Sequence, residues 1–361
     1  MTKISATVVA DSKAPTGERL TTMLVTFPRF ILAELNTHRM LSKNSASSRA
    51  IPFEKMVKSV EENPFIPIAW QKDHKGMQGT EYFEHGGNVE EVYPIGYNII
   101  HALEQDWLST RDHAINMANH LNRVGVTKQL CNRLLEPFMW HTVLISGTEF
   151  SNFFNLRCPQ YTDHKGIIYK SKRDLLNNQK FLVKADMSNH SDLDWLSINK
   201  GQAEIHMMAL AEAMWDSMND STPKLLNEGE WHIPFGDGIN IPLEGWEFAT
   251  ENDLLEDTIK IATARCARVS YTVVGEEGKE PNYANDIKLH DVLATSGHWS
   301  PFEHCARVMN NYEYNSYYKG SGILHDLNEF PFGEALIHTQ DGKGWCNNFR
   351  GFIQYRSLLN K

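Results

Sequence analysis

The stretch NRLLEPFMWHTVLISGTEFSNFFNLR, residues 132–157, changes character in its middle. Met139 to Gly147 is an apolar run containing β-branched residues, which predicts a buried strand. Thr148 to Arg157 then reads as a helix. A buried strand needs partner strands on its edges, and the rest of the chain offers them.

Working outward, ISATVVA (4–10) and LTTMLVTF (20–27) alternate across a Pro/Gly turn and predict a strand pair. Pro28 suits a first helical residue, and Ile31, Leu32 and Leu35 follow at helical spacing, predicting a helix over 28–39. Residues 53–63 form a short amphipathic helix, 63–90 a long loop, and 91–135 a helical region with Ile100, Leu103 and Trp107 on one face. Residues 158–199 are polar and aperiodic and read as an insertion, while 201–218 predict a helix burying Ile205, Met208 and Ala209. The Gly-, Pro- and Trp-rich segment 220–250 reads as a linker. Beyond it, 253–271 reads as helix into strand, 285–304 as a helix stopped by Gly297 and followed by a turn, and 305–314 as a strand. The tail, 347–359, mixes aromatic residues with Arg350, Gln354 and Arg356, which read as surface charges first and as cover over a ligand entrance second.

The 361 residues carry a net charge of −10, which argues against a polymeric nucleic acid partner. A single nucleotide needs only two or three local cations and remains compatible. The five cysteines are widely spaced and show no C-x-x-C, so they predict neither a disulfide framework nor a zinc ribbon. No metal is expected. With no apolar run of about 18 residues and no signal-peptide pattern, the expectation is a cytoplasmic protein without a membrane partner.

THRMLSKNSASSRAIP, Thr37 to Pro52, follows the first predicted helix directly. Its hydroxyls, backbone N–H groups and Arg49 suit a phosphate nest. The same residues suit a solvated turn, and by themselves they leave both readings open.

The spacing His38-Arg39-x7-Ser47 resembles the signature of the flavin-dependent thymidylate synthases (the ThyX family). Arg133, Pro137, Thr142, Asn152 and Arg157 resemble a second block of that family, and GQAEI (201–205) a third element. ARVSY (267–271) and SGHWSPFEH (296–304) resemble a block that lies before the His-Arg motif in the family but here comes near the C-terminus. The chain is thus similar to a circularly permuted, enlarged member. The resemblance implies an α/β (α+β) fold, a mixed sheet flanked by long helices in permuted order with insertions, with 1–219 as the first part of the core, 220–256 as a linker and 257–361 as the second part. It also implies a homotetramer with active sites between subunits.

The activity so implied is reductive methylation of dUMP to dTMP. Methylene-tetrahydrofolate donates the carbon, FAD carries the electrons and NADPH is the reductant, so no cysteine nucleophile is needed. Cys158 is accordingly expected as a buried or loop thiol. Arg157 matches the residue that holds the pyrimidine and stabilises its N3-deprotonated form, raising electron density at C5. Arg49, Arg133, Ser47 and Ser48 match dUMP phosphate contacts, and Glu34 stands where the family has a dUMP-contacting Gln. His38, Arg39, Asn152, His298 and Ser300 match flavin contacts. Thr37 replaces an Arg there and Ser45 a Glu. Arg268, Ser270, Glu303 and His304 fit structural roles as well as functional ones. Two other outcomes stay open at this level: hydroxymethylation or another C5 modification of a pyrimidine nucleotide, and an inactive nucleotide-binding scaffold.

Overall fold

A computed structural model describes residues 3–45, 51–75, 79, 81–84, 98–178, 192–241, 250–269, 282–315, 317–319, 323–325 and 343–359. Strands β1 (Ser5–Lys13) and β2 (Arg19–Pro28) pair antiparallel with a register shift between Val8 and Ala10. A 3-10 turn over Arg29–Ile31 and the short α1 (Leu32–Asn36) replace the single helix expected over 28–39. The chain then returns as β3 (Ser42–Ser45).

Helices α2 (Phe53–Glu62), α3 (Ile99–Arg123) and α4 (Lys128–Cys131), with a 3-10 stretch over Asn132–Phe138, enclose a separate apolar cluster. The helical region ends earlier than expected because Gly125 adopts φ +89°, a conformation that α-helix does not continue through.

Strand β4 (Trp140–Gly147) follows, and it is the centre of the fold as its apolar run predicts. The main sheet among the described residues has the order β3-β4-β2-β1-β7, where β7 is Lys224–Leu225. Only the β1–β7 pairing is parallel, so the sheet is mixed. Alternation along β2 and β4 sends Met23, Val25, Phe27, Val143 and Ile145 to one face. That face is covered by α5 (Ser151–Arg157) and α8 (Ile205–Asp220), through Phe153, Phe154, Met207, Leu210 and Met214. Full burial of a side chain such as Phe27 contributes about 2–3 kcal/mol. Leu24 and Leu144 face the other way, onto Cys266 and Val269 at the end of α9 (Glu251–Arg268).

Between α5 and α8, β5 (Tyr161–Thr162), β6 (Ile168–Tyr169), α6 (Lys172–Asn178) and α7 (Asp192–Ile198) give the expected insertion its own small core of Tyr161, Leu175 and Trp195. The 220–256 segment is not a free linker. It supplies β7 to the main sheet, and β8 (Trp231–His232) to a second sheet of order β14-β9-β8, with β9 at Ala306–Val308 and β14 at Phe352–Gln354. Its residues 250–256 carry the capped start of α9, where Thr250 and Asp253 exchange side-chain and backbone hydrogen bonds.

Helix α10 (Tyr283–Thr295) packs on α9, tied by an Arg268 Nε to Asp286 ion pair at 2.7 Å. Helix α9 ends at Arg268, and the strand expected up to Tyr271, with Ser270, lies outside the described residues. After β9 come α11 (Asn311–Asn315), the pair β10 (Tyr317–Lys319) and β11 (Ile323–His325), then a tight hairpin of β12 (Trp345–Cys346) and β13 (Phe349–Arg350). After β14 comes α12 (Tyr355–Leu359). The tail is therefore not a surface strip: Phe349, Phe352, Ile353 and Gln354 are all at most 1 % exposed.

Glycines close the β12–β13 hairpin. Gly351 N–H donates to the Gly344 carbonyl at 2.8 Å, and both residues have positive φ, 76° and 74°. A Cβ on Gly344 would fall 2.4 Å from the Tyr314 ring. Gly344→Ala is expected to cost about 2 kcal/mol or more, combining left-handed strain with a clash. Urea unfolding measures this, and an unchanged midpoint would contradict it.

Candidate functional site

Five residues nominated from the sequence line one cavity of about 530 Å³: Thr37, His38, Arg39, Asn152 and Arg157. Two local features bring them together. Gly147 ends β4 close against Leu41, so the 37–41 turn and the start of α5 lie at the same end of the strand. Helix α5 then places Asn152 and Arg157 along one wall, beside Phe153 and Leu156.

Arg157 is held on two sides. Its Nε donates to His38 Nε2 at 3.0 Å, and its Nη1 lies 3.8 Å from Glu34 Oε2. His38 is 8 % exposed and meets the edge of Phe153 at 4.9 Å between ring centres. Burial, then the Arg157 and Lys43 charges, lowers the His38 pKa to about 4. The imidazole is thus neutral near pH 7, which is the state that can accept the Arg157 proton. Arg39 and Asn152 make no hydrogen bond or ion pair among the described residues, so their polar groups remain available to a ligand. Thr37 Oγ1 donates to the Glu34 carbonyl at 2.7 Å and closes the helix end.

Lys43, which the sequence does not single out, braces this turn. Its Nζ donates to the carbonyls of His38 and Leu41 at 2.5 and 3.1 Å. Burial lowers its pKa to about 8. Asn348 holds the intervening Met40 carbonyl at 3.3 Å. Three of the four carbonyls from His38 to Leu41 are therefore fixed by side chains.

The other nominated residues lie elsewhere. Arg133 is over half exposed and sits 3.8 Å from Glu136, at the opposite end of β4. That strand spans roughly 25 Å at about 3.3 Å per residue. Arg29, also missed from sequence, shares Glu136 at 3.5 Å and donates to the buried His141 ring. Ser300 Oγ donates to Asn44 Oδ1 at 3.0 Å on β3, next to Ser45, and Asn44 donates to the Cys266 carbonyl at 2.7 Å. His298 is exposed, with Nδ1 2.9 Å from Ser296 Oγ. None of Arg133, Ser45, His298 and Ser300 lines the cavity. Ser47, Ser48 and Arg49 lie outside the described residues.

Behind β4 runs a buried polar chain that joins the two halves of the sequence. Ser12 Oγ meets His232 Nδ1 at 2.9 Å, and His232 Nε2 meets Thr22 Oγ1 at 2.8 Å. Thr22 Oγ1 and Ser146 Oγ are 2.6 Å apart, and Ser146 Oγ meets His304 Nδ1 at 2.8 Å. Burial lowers both histidines to about 3. His304 is fully buried, which fits its structural reading. Glu303 pairs with Arg356 at 2.5 Å. Cys158 is buried and its thiol is pushed well above the usual range, so it offers no thiolate.

A second cavity, about 560 Å³ and more apolar, lies between the insertion and α8 and is lined by none of the nominated residues. Among the described residues no three His, Cys, Asp or Glu are grouped to hold a metal ion, and no helix is long and apolar enough to cross a membrane.

No family model matches the chain, and no curated protein matches it. Among solved structures it is distantly similar to the UMP/dUMP methylase PolB from Streptomyces cacaoi. The complex with 5-Br dUMP aligns at TM-score 0.37 and 13 % identity, over 60 % of this chain and 90 % of that one. The complex with 5-Br UMP aligns at TM-score 0.34 and 13 % identity, over 60 % and 89 %.

Proposed function

We propose that this chain is a flavin-dependent enzyme that modifies C5 of a pyrimidine nucleotide, with reductive methylation of dUMP to dTMP as its reaction. The observation that carries the proposal is the convergence of Arg157, His38, Arg39 and Asn152, nominated from separate stretches of sequence, on one cavity.

The lining has the chemistry a flavin nucleotide requires. Arg39 offers a cation with no partner among the described residues, Asn152 an amide for a ring edge, and Phe153 an apolar wall. Bound there, the flavin would supply two-electron transfer, with NADPH as the electron source and methylene-tetrahydrofolate as the carbon source. The rest falls to side chains. Arg157 binds the uracil N3/O2 edge and stabilises negative charge there, which enriches C5 as the attacking carbon. Neutral His38 accepts a hydrogen bond from Arg157 Nε–H and so fixes the guanidinium plane.

Arg157 lines the cavity, whereas Arg133 lies at the other end of β4. Arg133, at the far end of β4, then serves a neighbouring copy in a homotetramer, where it meets the phosphate of a dUMP held by another chain's Arg157. Size measurement in solution tests this arm, and a monomer that turns over dUMP would refute it.

The decisive experiment is anaerobic mixing of NADPH-reduced protein with dUMP and methylene-tetrahydrofolate, with the product weighed. A gain of one methyl group supports the reading. A hydroxymethyl product would keep the site and change the reaction. A colourless protein that takes up no flavin would overturn the flavin assignment.

A further inference from the structure

The cavity has a wall that none of the sequence motifs accounts for. Trp345 and Arg350 line it, and both come from the β12–β13 hairpin near the C-terminus. They are direct cross-strand partners in that hairpin. Cross-strand partners project to the same face, so the Trp345 and Arg350 side chains leave the hairpin side by side. The two left-handed glycines, Gly344 and Gly351, close the hairpin tightly enough to fix that pair.

The hairpin is fastened to the site and not merely near it. Arg350 N–H donates to Thr148 Oγ1 at 3.0 Å, just ahead of α5. Asn348 donates to the Met40 carbonyl and to Ser42 Oγ, at 3.3 and 3.0 Å. Buried Gln354 donates to Ser42 Oγ at 3.1 Å. The Arg350 guanidinium is itself oriented, with Nε donating to the Lys343 carbonyl at 3.2 Å and standing 3.6 Å from Glu18. Glu18 also accepts from Tyr314 and Thr16, so its charge is shared among several donors. Arg39 faces the same cavity without a partner among the described residues.

We propose that the Gly344–Gly351 hairpin is a ligand-recognition element, in which Arg350 and Arg39 clamp a phosphate or pyrophosphate group while Trp345 packs against an adjoining ring. This rests on the proposed flavin reading in one respect only, the identity of the ligand. Two guanidinium groups suit a multiply charged phosphate oxygen cluster better than a carboxylate. The hairpin therefore selects phosphorylated over unphosphorylated forms of the same ring system.

The test compares FAD, riboflavin and ADP as probes, with affinities read by fluorescence quenching or calorimetry on the full-length protein. Arg350→Met is expected to weaken FAD about ten- to a hundred-fold, the loss of a charge-assisted contact, and to leave riboflavin unchanged. Arg350→Lys should recover part of the loss. The double variant Arg39→Met/Arg350→Met should lose less than the product of the two single losses, because both act on one group. Equal loss for FAD and riboflavin, or no loss for either, overturns the proposal. Should the wild-type protein bind no flavin but bind ADP in an Arg350-dependent way, the flavin reading fails and the hairpin assignment stands. Should Arg350→Met fold poorly, pyrophosphate competition on the wild-type protein decides: absence of competition against FAD or ADP overturns the clamp.

Discussion

Arg157→Ala is expected to abolish turnover of the pyrimidine nucleotide while flavin stays bound. The loss should be about a hundred- to a thousand-fold or more in kcat, starting from the range for removal of a preorganised donor aimed at developing charge. The guanidinium is less than a quarter exposed and already oriented by His38 at 3.0 Å, so water cannot take over its role in the same geometry. Arg157→Lys should recover little, because one ammonium cannot span two atoms of a planar ring edge. Steady-state kinetics with the flavin absorbance recorded alongside gives both readouts. Near-normal product formation by Arg157→Ala would remove this residue from the chemistry.

The second large effect is acid lability. His38 is held near 4, and His141, His232 and His304 near 3, each chiefly because burial disfavours the charged ring. All four folded-state values lie below the unfolded value of about 6.5. As pH falls through 6.5 the unfolded chain takes up these protons and the folded chain does not. The stability they contribute is therefore complete above about pH 6.5 and is lost progressively down to about 3–4. Each histidine adds roughly 1.4 kcal/mol per pH unit to the slope within that window. Half-buried Glu212 and Asp216, with carboxyl pKa values raised by desolvation, oppose the trend and reduce its net size. Urea midpoints at pH 7.5 and 5 should differ markedly. His304→Leu should flatten the slope by about one histidine's share. Identical midpoints at the two pH values would contradict the assignment of neutral buried rings.

Much of the fold is legible along the chain because its strands and long helices announce themselves by period. β2 and β4 form where their apolar, β-branched runs predict, and the sheet is mixed with helices on both faces. α8 forms as a helix, but it turns Met207, Leu210, Ala211 and Met214 to the core and leaves the expected Ile205 and Ala209 half-buried. Short elements are harder to read. β7 and β8 are two residues each, too short to carry a period, and Gly, Pro and Trp around them mimic a linker. The tail misleads for a similar reason. Arg350 and Arg356 look like surface charges, yet Arg356 pairs with Glu303 and Arg350 is one of the residues that line the cavity. A helix expected over 28–39 shrinks because the chain must turn back at Thr37 to lay β3 along β4.

The candidate site divides along the same line. The resemblance that the short motifs carry nominates which side chains could act: the His38-Arg39 pair, Asn152 and Arg157. Distance along the chain says nothing about which of them meet. That is decided by β4, whose length separates Arg133 from Arg157 and whose end at Gly147 brings His38 beside Arg157. Lys43, Arg29 and Trp345 carry no motif, and they enter the picture only through the atoms they touch. Residue type and local period are properties a chain has before it folds. Burial, a neutral imidazole and a hydrogen bond between residues 119 positions apart exist only once packing has excluded water around them.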